Sequence, residues 1–352
     1  MIEYLIILFL LMVSALIEPS MKSIKSDSAR TFFVILSLIL LICLCGFRYE
    51  TGKDYKSYLF LYSQPEELYT MKEVGFIWTI KMFNALSLPF SFFCFVYATF
   101  TVALTYRFII KYSPYICFSI LIYYSLGNFY FSSFNVMRQA LAVAIFINTF
   151  QLIKQHQFIK YFFIITITSI FIHASTIILL PLYFILPYIY KNVFKILITV
   201  AILSLSSVFI LAIEASPYSV YLKIEDFSTS VPPTYYLLGG FGILTLIYSM
   251  VHPEWEKSNP IISNLNIICI CLIGLIFIYA NTPLVMVVNR ILGFFTVIYI
   301  VIIPQIIYSL PSKITKNIIY LCFIIVLSFL SYNSLNQNGT KNNMVPYKSI
   351  LS

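Results

Sequence analysis

Apolar runs close to the length of a bilayer-spanning helix recur from one end of this chain to the other. A helix needs about 20 mostly apolar residues to cross a hydrocarbon core, and in lipid its backbone polar groups must be satisfied internally. The runs therefore predict an all-α, polytopic integral membrane helix bundle. A transmembrane β-barrel would show alternating segments of about 10 residues instead. Composition agrees, with 61% hydrophobic and 10% charged residues, against roughly 25% charged in soluble domains. About twelve spans are expected, at 2–18, 31–47, 88–109, 115–133, 136–153, 158–172, 174–190, 193–213, 234–251, 260–280, 286–308 and 314–332. They read as a single transmembrane domain over 1–352. The first run carries Glu3 and no Lys or Arg ahead of its apolar stretch, so it is read as a retained span rather than a signal peptide.

The distribution of Lys and Arg orients the spans. Short connections carrying Lys22, Lys25 and Arg30, then Arg107 and Lys111, Lys154 and Lys160, Lys191 and Lys195, Lys257, and Lys313 and Lys316 fall on one side. That side is read as cytoplasmic, with both termini outside. The formal charge of +9 is thereby a topology signal, and no nucleic-acid partner is expected. The outer side receives a tyrosine-rich segment at 48–87 and a loop at 214–233. Within the former, 73–88 has apolar residues at helical spacing and predicts an interfacial helix with Trp78 at headgroup level.

The five arginines divide unevenly. Arg30 and Arg107 sit among the cytoplasmic charges. Arg48, Arg138 and Arg290 lie on the outer side, each at the edge of an apolar span. A guanidinium stays charged and matches phosphate oxygens bidentately. Arg138 also falls in the first turn of its helix, where free N–H groups and the dipole favour an anion. Three such groups around one outer cavity would suit a pyrophosphate. The competing reading is that each arginine snorkels to headgroups or pairs with a carboxylate.

His173, in FIHAST, is a candidate base, since imidazole accepts a proton near neutral pH; a hydrogen-bonded helix-end histidine is the alternative. Asp54 and Glu73 are further outer candidates, and Asp54 is placed to pair with Arg48 across a turn at Gly52. The seven cysteines lie inside apolar runs, and Cys43/Cys45 and Cys269/Cys271 lack C-x-x-C spacing, so they are assigned to packing. There is no H-E-x-x-H, P-loop or G-x-S-x-G motif. The chemistry expected is extracytoplasmic, with no metal, nucleotide or other cofactor.

The blocks FRYETGKDYKSYLFLY, EVGFIWTIKMFN, FNVMRQALAVAIFI, FIKYFFIITITSIFIHASTIILLPLYF, NRILGFF and MVPYKSIL resemble, in order, those of the EpsG family of Wzy-like polysaccharide polymerases. N-x-x-R-Q followed by I-H-x-S is the most specific pairing. The resemblance implies a fold like that of the membrane-embedded GT-C-type glycosyltransferases. It also implies a bacterial cytoplasmic (inner) membrane enzyme with an outward-facing active site. Its activity would be polymerisation of undecaprenyl-pyrophosphate-linked repeat units into surface polysaccharide: O-antigen, capsule or exopolysaccharide. Its partners would be the lipid-linked donor and acceptor, membrane lipid and a chain-length-control co-polymerase. By the same resemblance Arg138 and Arg290 hold the donor pyrophosphate. His173 orients or deprotonates the acceptor hydroxyl. Arg48, Asp54, Tyr55, Glu73, Asn135 and Gln139 bind substrate or shape the cavity mouth. A flippase of lipid-linked glycan and an O-antigen-ligase-like transferase are the alternatives.

Overall fold

The computed structural model describes residues 1–21, 27–64, 74–126, 129–188, 195, 198, 231, 233–339 and 343–350. All described elements are helical, and the described residues contain one isolated antiparallel bridge, between Arg48 and Ser349. The first half comprises α1 (Ile2–Met21), α2 (Asp27–Gly46), α3 (Tyr55–Ser63), α4 (Val74–Ala85), α5 (Phe90–Tyr112), α6 (Ile116–Ser125), α7 (Ser132–Asn135) and α8 (Met137–Ile147). Then follow α9 (Phe150–Lys154), α10 (Phe158–Phe171), α11 (Leu182–Ile185), α12 (Pro233–Val251), α13 (Pro253–Ser258) and α14 (Pro260–Ile278). The series ends with α15 (Leu284–Leu292), α16 (Tyr299–Ser309) and α17 (Lys313–Asn338).

Among the described residues, seven helical segments are long and apolar enough to cross a membrane. They match the runs expected at 2–18, 31–47, 88–109, 234–251, 260–280, 286–308 and 314–332. Most of the run at 193–213 and of the loop at 214–233 lies outside the described residues. Four expected spans fold as shorter or broken pieces: 115–133, 136–153, 158–172 and 174–190. Backbone geometry accounts for two of these breaks. Val136, at φ −97° and ψ 57°, separates α7 from α8. Pro181 and Pro187 have no N–H to donate, and the chain from Ala174 to Tyr188 alternates 3₁₀ and α turns.

The chain divides into two units. The first comprises 1–149, 159–178 and 303–352. In it α1 packs on α2, α6 and α17, while α5 packs on α2, α6 and α8. Tyrosine hydroxyls tie these helices to one another's backbones, where no water competes for the bond. Tyr124 donates to the Tyr4 carbonyl at 2.8 Å, Tyr130 to Leu41 at 2.7 Å and Tyr320 to Ala15 at 2.7 Å. The buried Glu18 carboxylate accepts the N–H groups of Cys117 and Phe118, both at 3.0 Å. It thereby satisfies donors that the first turn of α6 leaves open.

The second unit comprises 150–158 and 179–302. Its centre is α14, packed against α12 and α15. Asn266 donates to the Gly242 carbonyl at 3.0 Å and accepts from the Tyr299 hydroxyl at 2.9 Å. Gly242 makes this approach possible, because a β-carbon there would lie 2.6 Å from that hydroxyl.

Candidate functional site

In the first unit, four sequence blocks meet ahead of α8. The loop after α2 has positive φ at Glu50 (44°) and Gly52 (103°). Gly52 is required twice over. Its φ lies in the left-handed region, and a β-carbon would fall 2.5 Å from the Phe134 carbonyl oxygen. The adjoining Lys53 N–H donates to Asn135 Oδ1 at 2.6 Å. Arg48, at the start of this loop, is 2% exposed. Its Nη1 donates to the Ser133 carbonyl at 3.2 Å and to Cys45 Sγ at 3.3 Å, and its Cζ lies 5.0 Å from the Phe134 ring centroid.

The segment Asn343–Ile350 runs along the other side of the loop. Ile350 N–H donates to the Phe47 carbonyl at 3.0 Å, Tyr49 N–H to Lys348 at 2.9 Å and Gly52 N–H to Asn343 at 2.9 Å. Thr51 Oγ1 accepts from Lys348 N–H at 3.2 Å, and Lys348 Nζ pairs with Glu50 at 3.1 Å. The sequence blocks around Arg48, Asn135 and Tyr347 thus form one structure.

α3 and α4 supply an aromatic wall. Tyr55, Tyr58 and Tyr62 recur at i, i+3 and i+7 and are the buried face of α3. On α4, Phe76, Ile80 and Phe83 are buried, while Val74, Trp78 and Met82 are exposed. Gly75 lets α4 lie directly against α10, since a β-carbon there would lie 2.1 Å from the Phe171 Cα.

Arg138, in the first turn of α8, is half-buried against this wall. Its Cζ lies 4.5 Å from the Phe76 ring centroid and 5.8 Å from that of Tyr58, within cation–π range. Burial pushes the Tyr58 hydroxyl above its usual pKa, and the charge and hydrogen bond of Arg138 pull it back. The phenol therefore faces Arg138 as a neutral group at physiological pH.

Gln139 is buried in the same turn. Tyr55 is buried in the α3 face, with its ring 5.2 Å from Phe90. Asp54 is the N-cap residue of α3 and is half-buried. His173 is 9% exposed in the turn between α10 and the 3₁₀ helix Ala174–Leu179. Its N–H donates to the Thr168 carbonyl and its own carbonyl accepts from Thr176, both at 3.0 Å. The preceding Ile172 packs against the cluster that holds Tyr58, Phe76 and Met137.

Glu73 lies outside the described residues. Arg290 belongs to the second unit, half-buried on α15. Its neighbour Asn289 accepts a hydrogen bond from the Tyr235 hydroxyl.

Arg48 sits inside the bundle, with its Nη1 on the Ser133 carbonyl and Cys45 Sγ. Tyr123, Tyr124 and Tyr130 are buried and pack on one another in the bundle. Residue-by-residue reading missed the rings behind Arg138 (Tyr58 and Phe76). The i, i+3, i+7 tyrosines of α3 carry a helical signal that could have found the first.

The fold and site define a membrane-embedded helical protein with an arginine in the first turn of α8, set against the rings of Phe76 and Tyr58. The chain matches the EpsG family over residues 30–349, and it belongs to that family. It is a polysaccharide-polymerase-like membrane protein. Comparison with curated proteins and with solved structures found no match.

Proposed function

We propose that this protein is a glycosyltransferase that polymerises undecaprenyl-pyrophosphate-linked oligosaccharide repeat units at the outer face of the bacterial cytoplasmic membrane. The observation that carries the reading is Arg138: a ring-backed guanidinium in the first turn of α8, with Gln139 beside it and His173 following a residue of the same cluster. In this reading the growing chain is the donor, activated at its reducing-end sugar by the pyrophosphate. A hydroxyl of the incoming lipid-linked unit attacks the anomeric carbon. The bond from that carbon to the pyrophosphate oxygen breaks, and undecaprenyl pyrophosphate leaves with the electron pair.

Arg138 stabilises the charge that builds on the leaving phosphate. A fixed donor in a water-poor site is effective there because it need not reorganise as the charge develops. His173 takes the proton of the attacking hydroxyl. Asp54 accepts hydrogen bonds from sugar hydroxyls, and the Gln139 amide donates to sugar or phosphate oxygens. Arg290 is assigned to phosphate binding on its sequence block. Surface polysaccharide is the product class, and a chain-length-control protein is the expected partner.

The test uses purified protein in lipid, supplied with the undecaprenyl-pyrophosphate-linked repeat unit of its host, without nucleotide and with a chelator present. A ladder of lengthening glycans is expected. Movement of labelled lipid-linked glycan across the bilayer without lengthening would replace this reading with a flippase.

A further inference from the structure

We propose that Arg48 and Asn135 are positioning residues, which fix the backbone carrying Arg138 and do not touch the substrate. The segment Asn343–Ile350 braces the loop through which they act. The inference rests on the role proposed above for Arg138.

The first turn of α8 is not set by its own helix alone. Val136 breaks the path from α7, so the direction in which α8 starts depends on what holds residues 133–136. Two anchors flank Phe134. Arg48 Nη1 holds the Ser133 carbonyl at 3.2 Å, and Lys53 N–H holds Asn135 Oδ1 at 2.6 Å. Between them, Gly52 lies against the Phe134 carbonyl. Arg48 also reaches Met137 Sδ at 4.0 Å, directly before Arg138.

A buried guanidinium costs several kcal/mol to desolvate, and the partners of Arg48 are a carbonyl, a thiol, a thioether and a ring face. At 2% exposure it cannot reach a substrate phosphate. Its geometry is that of a tie between the end of α2 and the start of α8.

The loop that supplies these anchors has no helical hydrogen bonds of its own between Phe47 and Gly52. The segment Asn343–Ile350 supplies them instead, through the carbonyl of Phe47, the N–H groups of Tyr49 and Gly52, and the Thr51 hydroxyl. A catalytic group displaced by about 1 Å can cost on the order of 100-fold in rate. Such bracing therefore acts on function without contact.

The test measures binding of undecaprenyl pyrophosphate to the full chain in nanodiscs, with the folded fraction followed by size exclusion. Asn135→Ala and Thr51→Val are each expected to weaken binding about 10-fold at an unchanged folded fraction. Thr51→Val retains the shape of the side chain and loses the hydroxyl that accepts from Lys348 N–H and donates to the Tyr49 and Lys348 carbonyls, so it serves if Asn135→Ala fails to fold. Arg48→Lys, which keeps the charge and loses the fork, is expected to weaken binding as well.

In an Arg138→Ala background, Asn135→Ala should add nothing, because its effect passes through Arg138. An equal loss in both backgrounds would make Asn135 a ligand contact and overturn the inference. Wild-type affinity in Asn135→Ala and Thr51→Val would overturn it too. Wild-type affinity in Arg48→Lys would remove Arg48 from it. Failure of the wild-type chain to bind the probe would instead overturn the reading of Arg138 on which the inference stands.

Discussion

A methyl group on Gly52 would lie 2.5 Å from the Phe134 carbonyl oxygen, at a backbone φ of +103°. The loop after α2 and the start of α8 are in backbone contact at this point. Gly52→Ala is therefore expected to destabilise the protein by about 1–3 kcal/mol from backbone strain alone, with the steric clash in addition. A thermal unfolding midpoint in detergent lower than that of wild type, with loss of long-chain product, is the expected result. An unchanged midpoint would show that the loop can withdraw from Phe134 at no cost.

Arg138→Ala is expected to lower the rate of chain lengthening by on the order of 100-fold, the loss of one preorganised donor to a developing oxyanion. Arg138→Lys should not restore it, because an ammonium presents a point charge where the guanidinium offers a planar fork and a face for the Phe76 ring. Both variants should insert normally. Wild-type product length in Arg138→Ala would remove this residue from the chemistry. Arg290→Ala, measured separately, is expected to lose long-chain product as well.

His173→Ala is expected to lower kcat by about 100-fold or more, with binding of undecaprenyl pyrophosphate unchanged. Product lengths and rates read by gel and by lipid release provide the check. Full activity would remove the base assignment and leave the Arg138 account standing.

Stability should fall at alkaline pH. Burial is the main cause that pushes Tyr55 and Tyr347 each up to about 12, whereas tyrosine in an unfolded chain titrates near 10. The folded state therefore keeps protons that the unfolded chain releases between these values. Their contribution is complete below about pH 10 and is lost as pH rises toward 12. Thermal midpoints at pH 8 and pH 11 test this, and a higher midpoint at pH 11 would contradict it.

Bilayer physics made the helical class legible from sequence, because a run such as 260–280 has no other stable form in lipid. The first turn around Arg138 was legible too, since N-V-M-R-Q opens an apolar run. The contact between Lys53 and Asn135 was not, because it joins residues 82 positions apart through a backbone donor that no side-chain pattern advertises. The surroundings of Arg48 were not legible for a related reason: a span-edge arginine suggests a headgroup, a substrate or a carboxylate, and this one lies on a carbonyl, a thiol, a thioether and a ring face. The segment 174–190 looked like a span by hydropathy. Its prolines and 3₁₀ turns show that apolarity alone does not set helix length.

The central claim is that the chain breaks a sugar–pyrophosphate bond for every linkage it forms. The most direct measurement is the ratio of undecaprenyl pyrophosphate released to glycosidic bonds made, by wild-type protein in defined lipid. A ratio of one, with both quantities falling together in Arg138→Ala, is the predicted result. Lipid-linked glycan that reaches the opposite leaflet with no release of undecaprenyl pyrophosphate would contradict the account.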